Sequence, residues 1–199
     1  LEVLGEDYAG VFGSDGLPAF KTLTWLRQRC LAHLLRFARE IEATKTRGAV
    51  RYPRAVTALL KDAIALGKKR EDSAESTLLR GIRSLEKRLQ TLLFANLRVR
   101  DNAKLRGRLW NAAPHLFTFL TIPGVEPTNN EAERALRPAV IARKLSAGNR
   151  TWAGARAWAA MASIIETSRR RGQDFTQLVL RTLRAPPTQL QPAFAVMTR

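Results

Sequence analysis

Apolar residues recur at helical spacing along most of this 199-residue chain, and this periodicity constrains the fold more than any other feature. Between Leu78 and Leu92 the apolar positions alternate steps of four and three, the spacing of a helical hairpin or coiled coil. A second stripe begins at Leu31, and a third runs from Trp158 to Ile165, where Gly172 is expected to end the helix. The sequence therefore predicts a chain that is mainly α-helical.

Proline and glycine delimit the remaining helices. Pro114 is expected to kink a helix over residues 101–120, and Pro123, Gly124 and Pro127 predict a loop over residues 122–128. Helix resumes at Asn129. Further helices are predicted over residues 50–66 and 174–183, and the proline-rich residues 185–199 are expected to form a poorly ordered tail.

The beginning of the chain differs from the rest. Residues 9–15 predict a short buried strand that ends in the acid Asp15, and residues 27–30 predict a second short strand. Because an isolated strand is not stable, its sheet partners are expected to precede Leu1. The predicted fold class is thus mainly α with a small β portion.

The charge points to a polyanionic partner. Thirty-four Lys and Arg residues against seventeen Asp and Glu residues give a net charge of +17. Such an excess favours nucleic acid, although a generally basic protein and an anionic membrane surface remain alternatives. No apolar run approaches the roughly 18 residues of a membrane span, and no leader opens the chain. The sequence therefore predicts a soluble, cytoplasmic protein without a membrane partner.

One segment brings together side chains of the kinds that bind metal ions and phosphates. Asn130, Glu133 and Arg137 are spaced to share one face of the predicted helix after Asn129. A carboxylate one turn into a helix, flanked by amides and arginines, suits a metal-and-phosphate site. The structural alternatives are an exposed Glu133 paired with Arg137, and asparagines that only bond the helix start.

For two further pairs of residues, a structural role is favoured over a functional one. Cys30 and His33 have the spacing of half a zinc site, but the sequence offers no second ligand pair, so no zinc site is expected and His33 is assigned a structural role. Arg150, Trp152 and Arg156 could stack on or hold a splayed strand, but core packing is the expected role of Trp152 and Trp158.

Three ordered motifs resemble bacterial transposases of the insertion sequence 66 family. The first, Asn129-Asn130-x-x-Glu133-Arg134-x-Leu136-Arg137-Pro138 followed by Arg143-Lys144, resembles the C-terminal signature of that family. Residues 10–16, Gly-Val-Phe-Gly-Ser-Asp-Gly, resemble its strand with the second catalytic Asp. Residues 29–36 resemble its Cys-x-Ala-His helix start, and the turn Gly148-Asn149-Arg150 is also similar. The resemblance covers residues 1 to about 183.

This resemblance implies an RNase H-like core with an Asp-Asp-Glu triad. Asp15 takes the position of the second acid and Glu133 that of the third, and together they are expected to hold two Mg²⁺ or Mn²⁺ ions. No residue matches the first Asp, which leaves independent activity of this chain open. The implied fold is a truncated RNase H-like α/β core with a large helical insertion. Its expected divisions are a partial core at 1–44, the insertion at 45–120, C-terminal core helices at 121–184 and a tail at 185–199.

The function implied is that of a transposase catalytic-core fragment, which cleaves and joins DNA strands in transposition. The residues implied to bind DNA, at transposon ends and target, are Asn129, Asn130, Arg134, Arg137, Arg143, Lys144 and Arg150. For the basic ones the alternative is a solvated basic face. Rival functions are a non-catalytic basic helical DNA-binding protein, an inactive transposase remnant, and a helical interaction protein that forms a homo-oligomer through the Leu78–Leu92 seam.

Overall fold

The computed structural model describes residues 8–16 and 25–185. The described chain is mainly helical with one small two-stranded sheet, as the sequence predicted. It divides into two compact units, the first ending at Ala135 and the second beginning at Leu136. The tail predicted beyond residue 185 lies outside the described residues.

The sheet consists of two three-residue strands that run parallel. Strand β1 spans Phe12–Ser14 and strand β2 spans Arg27–Arg29, with Phe12 opposite Arg27 and Ser14 opposite Arg29. The pairing is extended at both ends, since the N–H of Phe12 donates to Leu26 O at 2.8 Å and that of Cys30 to Ser14 O at 2.9 Å. Both predicted strands are thereby confirmed, each shorter than its predicted range.

Helices make up the rest of the first unit. They are α1 (Leu31–Thr44), α2 (Arg51–Lys68), α3 (Glu75–Leu93), α4 (Arg100–Ala112) and α5 (Thr118–Thr121). A 3-10 turn at Ala113–His115 contains Pro114, so the predicted kink is a break between α4 and α5. Among the described residues, no helix has the length and apolar character that crossing a membrane requires.

One hydrophobic core joins these five helices. Its buried members come from all of them and include Leu34, Leu59, Leu85, Leu105 and Leu120. Burying each such leucine contributes about 1.5–3 kcal/mol. The seam of α3 belongs to this core, because Ile82, Leu85 and Leu89 are buried within the same cluster. The seam therefore packs against other helices of the same chain, and the homo-oligomer stays a prediction.

A buried polar side chain ties the sheet to α5. Gln28 of β2 is 1% exposed, and its Nε2 donates to Leu116 O at 3.1 Å while its Oε1 accepts from the N–H of Phe119 at 2.9 Å. Close by, the hydroxyl of Thr118 donates to Arg27 O at 2.7 Å. Side-chain hydrogen bonds thus connect β2 to a helix that begins some ninety residues later.

Three helices follow the loop over residues 122–129. Helix α6 spans Asn130–Ser146, α7 spans Trp152–Arg170 and α8 spans Phe175–Arg184. The side chain of Asp174 caps α8 by accepting from the N–H of Gln177 at 3.0 Å. Gly172 follows α7 with a φ of 64°, which confirms it as the residue that stops that helix.

The second unit corrects one prediction about burial. Trp152, expected in the core, is 82% exposed, whereas Trp158 is half-buried. The physical reason is the position of Trp152 at the first residue of α7, where no described element of its own unit encloses it. Leu145 and Leu183 are also largely exposed, at 84% and 78%. Within the described part of this unit, no apolar side chain is fully buried.

Candidate metal and nucleic-acid site

The carboxyl ends of the two parallel strands lie at one edge of the sheet, and a chemically active residue follows each strand. Asp15 comes directly after β1, and Cys30 comes directly after β2 as the residue before α1. The hydrogen bond from the N–H of Cys30 to Ser14 O holds these ends together at 2.9 Å. Asp15 therefore lies beside the start of α1.

The start of α6 is brought to the same edge. The N–H of Leu31 donates to Pro127 O at 2.9 Å, and the N–H of Asn129 donates to the Sγ of Cys30 at 3.4 Å. Helix α6 then begins, with the N–H of Glu133 bonded to Asn129 O at 3.0 Å. The loop over residues 122–129 thus returns the chain to the sheet edge and places the first turn of α6 there.

Glu133 and His33 face each other from two helix starts. The Oε1 atom of Glu133 lies 3.6 Å from the Nε2 atom of His33, which belongs to the first turn of α1. The side chains are 40% and 30% exposed, respectively. The carboxylate of Glu133 thus has the imidazole of His33 on one side and remains partly open to solvent.

Two buried polar atoms beside this contact have unused hydrogen-bonding capacity. Within the described residues, neither the Nδ1 of His33 nor the Oδ1 of Asn129 has a hydrogen-bond partner, although both atoms are buried. Leaving a buried polar atom unsatisfied costs about 1–3 kcal/mol. Native structures satisfy most such atoms, so both have capacity for a hydrogen bond to water or a ligand.

A cluster of three different ligand types forms around the same contact. One ligand atom from each of Cys30, His33 and Glu133 lies within 4.8 Å of the other two. The sequence showed Cys30 and His33 as half a site without a partner pair. The third group comes instead from α6, and the folded chain is needed to bring it there.

An arginine covers the turn after Asp15. Gly16 has a φ of +88°, and a Cβ atom at this position would overlap the guanidinium of Arg29. Burial lowers the pKa of Arg29, and the charge of Asp15 opposes that shift. Arginine nevertheless stays protonated in proteins, so a fixed positive charge lies close to the Asp15 carboxylate.

Sequence reasoning missed a basic cluster on this side of the sheet. Arg27 and Arg108 lie close enough to Arg29 for their charges to act on it, and the charges of Arg27 and Arg29 act on His115. The pKa of His115 is lowered, first by burial and then by these two arginines. One signal was present in the sequence: in Arg27-Gln28-Arg29 the strand period of two puts both arginines on one face.

The predicted DNA-binding residues fall in both units. In the first unit, Asn129 is half-buried before α6, and Asn130 and Arg134 are exposed in its first turns. In the second unit, four predicted contacts are exposed on α6 and before α7. These are Arg137, Arg143, Lys144 and Arg150. Their exposure makes these basic groups available to a polyanion. Asn129 instead lies beside Cys30 at the edge of the sheet.

Comparison with known proteins agrees with the residue-level resemblance. A protein-family model described as "Transposase IS66 family" matches residues 1–157. Comparisons with curated proteins and with solved structures gave no match. The family model spans most of the chain, including both strands, the Cys30–His33 turn and all of α6. The chain therefore belongs to the IS66 family of transposases.

Proposed function

We propose that the sheet edge at Asp15 and the first turn of α6 form part of the catalytic centre of a transposase, which cleaves DNA strands and transfers them to a target. Membership of a transposase family implies DNA as the partner. The observation that carries the proposal is the delivery of Glu133 to the edge where Asp15 ends β1, through contacts of His33 and Cys30.

Asp15 and Glu133 fit a site for Mg²⁺ or Mn²⁺. Both offer hard carboxylate oxygens, which Mg²⁺ prefers, and the Glu133 carboxylate is open to solvent on one side. When bound as a pair, such ions activate the attacking oxygen and stabilise the leaving 3′ oxygen. The proposed site thus contains two of the three acids of the triad.

Other residues of this unit have supporting roles in the proposal. His33 orients the Glu133 carboxylate through the contact of 3.6 Å. Arg29 neutralises phosphates next to Asp15, because its guanidinium interacts with that carboxylate, and the charges of Arg27 and Arg108 add to it. The exposed basic residues of α6 contact the DNA backbone.

We further propose that the two strands belong to an RNase H-like α/β core and that residues 45–120 are its helical insertion. A parallel sheet with an acid at the carboxyl end of a strand is the arrangement in which open α/β sheets place their ligand sites. Residues 1–44 and 121–184 would then supply the core parts of this chain.

The decisive experiment replaces the two acids in the transposase that contains this sequence. Asp15→Asn and Glu133→Gln are each expected to abolish Mg²⁺-dependent cleavage of DNA carrying the transposon end, while gel-shift affinity for that DNA stays within about twofold. Glu131→Gln is the matched control, since Glu131 is exposed on the same helical turn. Cleavage that survives in either acid variant overturns the assignment.

A second candidate function is DNA binding without chemistry. The net charge of +17 and the exposed basic residues of α6 favour binding irrespective of the acids. The two functions separate in one assay: supercoiled DNA incubated with this chain and Mg²⁺ is nicked only if the chain is itself catalytically competent. Binding without nicking, together with acid variants that leave the transposase active, would favour the binding function.

A further inference from the structure

We propose that Cys30, His33 and Glu133 form a binding site for a thiophilic divalent cation of the Zn²⁺ class, with a fourth coordination position open to water. One ligand atom from each residue lies within 4.8 Å of the other two. The site is distinct in chemistry from the carboxylate pair Asp15 and Glu133, although it shares Glu133 with it.

The spacing of the ligands suits tetrahedral coordination. Two nitrogen or oxygen ligands bonded to zinc at about 2.0–2.1 Å with tetrahedral angles lie about 3.3 Å apart. The Nε2 of His33 and the Oε1 of Glu133 are 3.6 Å apart, so this pair is already close to the separation that a bound ion requires. Three protein ligands with one open position are the pattern of zinc sites that bind a further ligand.

The surroundings of the sulfur also fit a metal ligand. Cys30 is 1% exposed, and the N–H of Asn129 donates to its Sγ at 3.4 Å. Hydrogen bonds from outer groups to a coordinating atom are a regular part of protein metal sites, because they fix its orientation. The sulfur is therefore shielded, and the backbone N–H of the residue before α6 orients it.

Unsatisfied polar atoms supply an independent observation. The Nδ1 of His33 and the Oδ1 of Asn129 are buried, and neither has a hydrogen-bond partner within the described part of the chain. A histidine that binds an ion through Nε2 donates its Nδ1–H to an outer acceptor such as water, and a water in the open position can donate to the Oδ1 of Asn129. Both of these atoms belong to residues that contact members of the cluster.

The donor set determines the class of ion. A thiolate and an imidazole are soft and borderline ligands, which favour zinc over magnesium, whereas magnesium prefers an all-oxygen shell. The site should therefore retain Zn²⁺ in the presence of a large excess of Mg²⁺. Co²⁺ is a suitable probe, because its absorption reports both thiolate coordination and tetrahedral geometry.

The test uses the full 199-residue chain, Co²⁺ and Zn²⁺, and no DNA, so its outcome does not depend on cleavage. We expect one tightly bound Zn²⁺ per chain that survives excess Mg²⁺, and a Co²⁺ complex with a sulfur-to-metal charge-transfer band. Cys30→Ser should abolish that band and weaken Zn²⁺ binding by more than about 100-fold, beyond the roughly 10–100-fold effect of outer-shell residues.

His33→Gln and Glu133→Gln serve as second variants, since both side chains are partly exposed and their loss should leave the fold intact. Each should weaken Zn²⁺ binding by a similar factor. The matched controls are His115→Gln, which replaces the other histidine, and Glu131→Gln. A Co²⁺ spectrum without a sulfur band, or Zn²⁺ affinity that these three variants leave unchanged, overturns the proposal.

Discussion

The side-chain oxygen of Gln28 accepts a hydrogen bond from the backbone N–H of Phe119 at 2.9 Å, across ninety-one positions of sequence. The amide nitrogen of the same side chain donates to Leu116 O at 3.1 Å. Gln28 thereby satisfies two backbone groups of the α5 region and fixes the helices against β2. The small sheet depends on this link, because it has only two described strands.

Replacing Gln28 with Leu should destabilise the chain. The substitution leaves the N–H of Phe119 and the carbonyl of Leu116 buried without partners, which should lower the free energy of unfolding by about 2–4 kcal/mol. Urea denaturation followed by circular dichroism measures the loss. The control is Gln90→Ala on the exposed side of α3, expected to be nearly neutral. Equal stability of the two variants would contradict the structural role of Gln28.

Two helical glycines should respond oppositely to alanine. Gly107 of α4 has open space where a Cβ would lie, so Gly107→Ala should raise the free energy of unfolding by about 0.5–1 kcal/mol through helix propensity. At Gly67 of α2 a Cβ would lie 2.7 Å from the buried ring of Phe119, and the overlap should cost about 1–3 kcal/mol. Thermal unfolding of both variants checks the contrast, and stabilisation by Gly67→Ala would show that this helix contact is looser than described.

His115 should make stability depend on pH. Its pKa in the folded chain is lowered by burial and by the charges of Arg27 and Arg29, so the unfolded chain binds the proton more readily. Its contribution to stability is therefore fully present above the unfolded pKa, about 6.5, and is lost as pH falls below it. Urea midpoints between pH 8 and pH 5 should fall less steeply for His115→Gln than for the unchanged chain. Equal pH dependence of the urea midpoint in the two proteins would refute the contribution of His115.

The exposed basic residues of α6 should account for part of the salt dependence of DNA binding. Replacing both Arg143 and Lys144 with Gln should weaken binding and flatten the plot of log affinity against log salt, by about 1 for each phosphate that is no longer neutralised. Fluorescence anisotropy at several salt concentrations measures the slope. Arg169→Gln is the control, because the charge of Arg169 is already paired with Glu166 at 2.7 Å. A slope changed equally by the control would refute a specific role of α6.

Local patterns accounted for much of the fold. The apolar stripes predicted α1, α3 and α7, because helical spacing is a property of neighbouring residues. The exposure of Trp152 was not predictable in this way, since burial depends on which other helices lie beside it. Pro114 was predicted to disrupt a helix. The effect of proline on helices does not by itself distinguish a kink from the break that the structure has.

The site was predictable only in part. Resemblance identified Asp15 and Glu133, and their proposed metal-binding role remains a prediction. The cluster of Cys30, His33 and Glu133 was beyond reach, because it depends on a contact between Asn129 and Cys30 across ninety-nine positions. The basic cluster around Arg29 likewise needs Arg108 from a helix that no strand pattern can place.

The junction around Cys30 is built largely from main-chain atoms. Two of its three hydrogen bonds, Cys30 to Ser14 and Leu31 to Pro127, join backbone to backbone, and only the third uses the sulfur. Genetic drift can therefore exchange the reactive side chains here while the scaffold that presents them persists. A lineage of such chains would lose its chemical activity before it lost its fold.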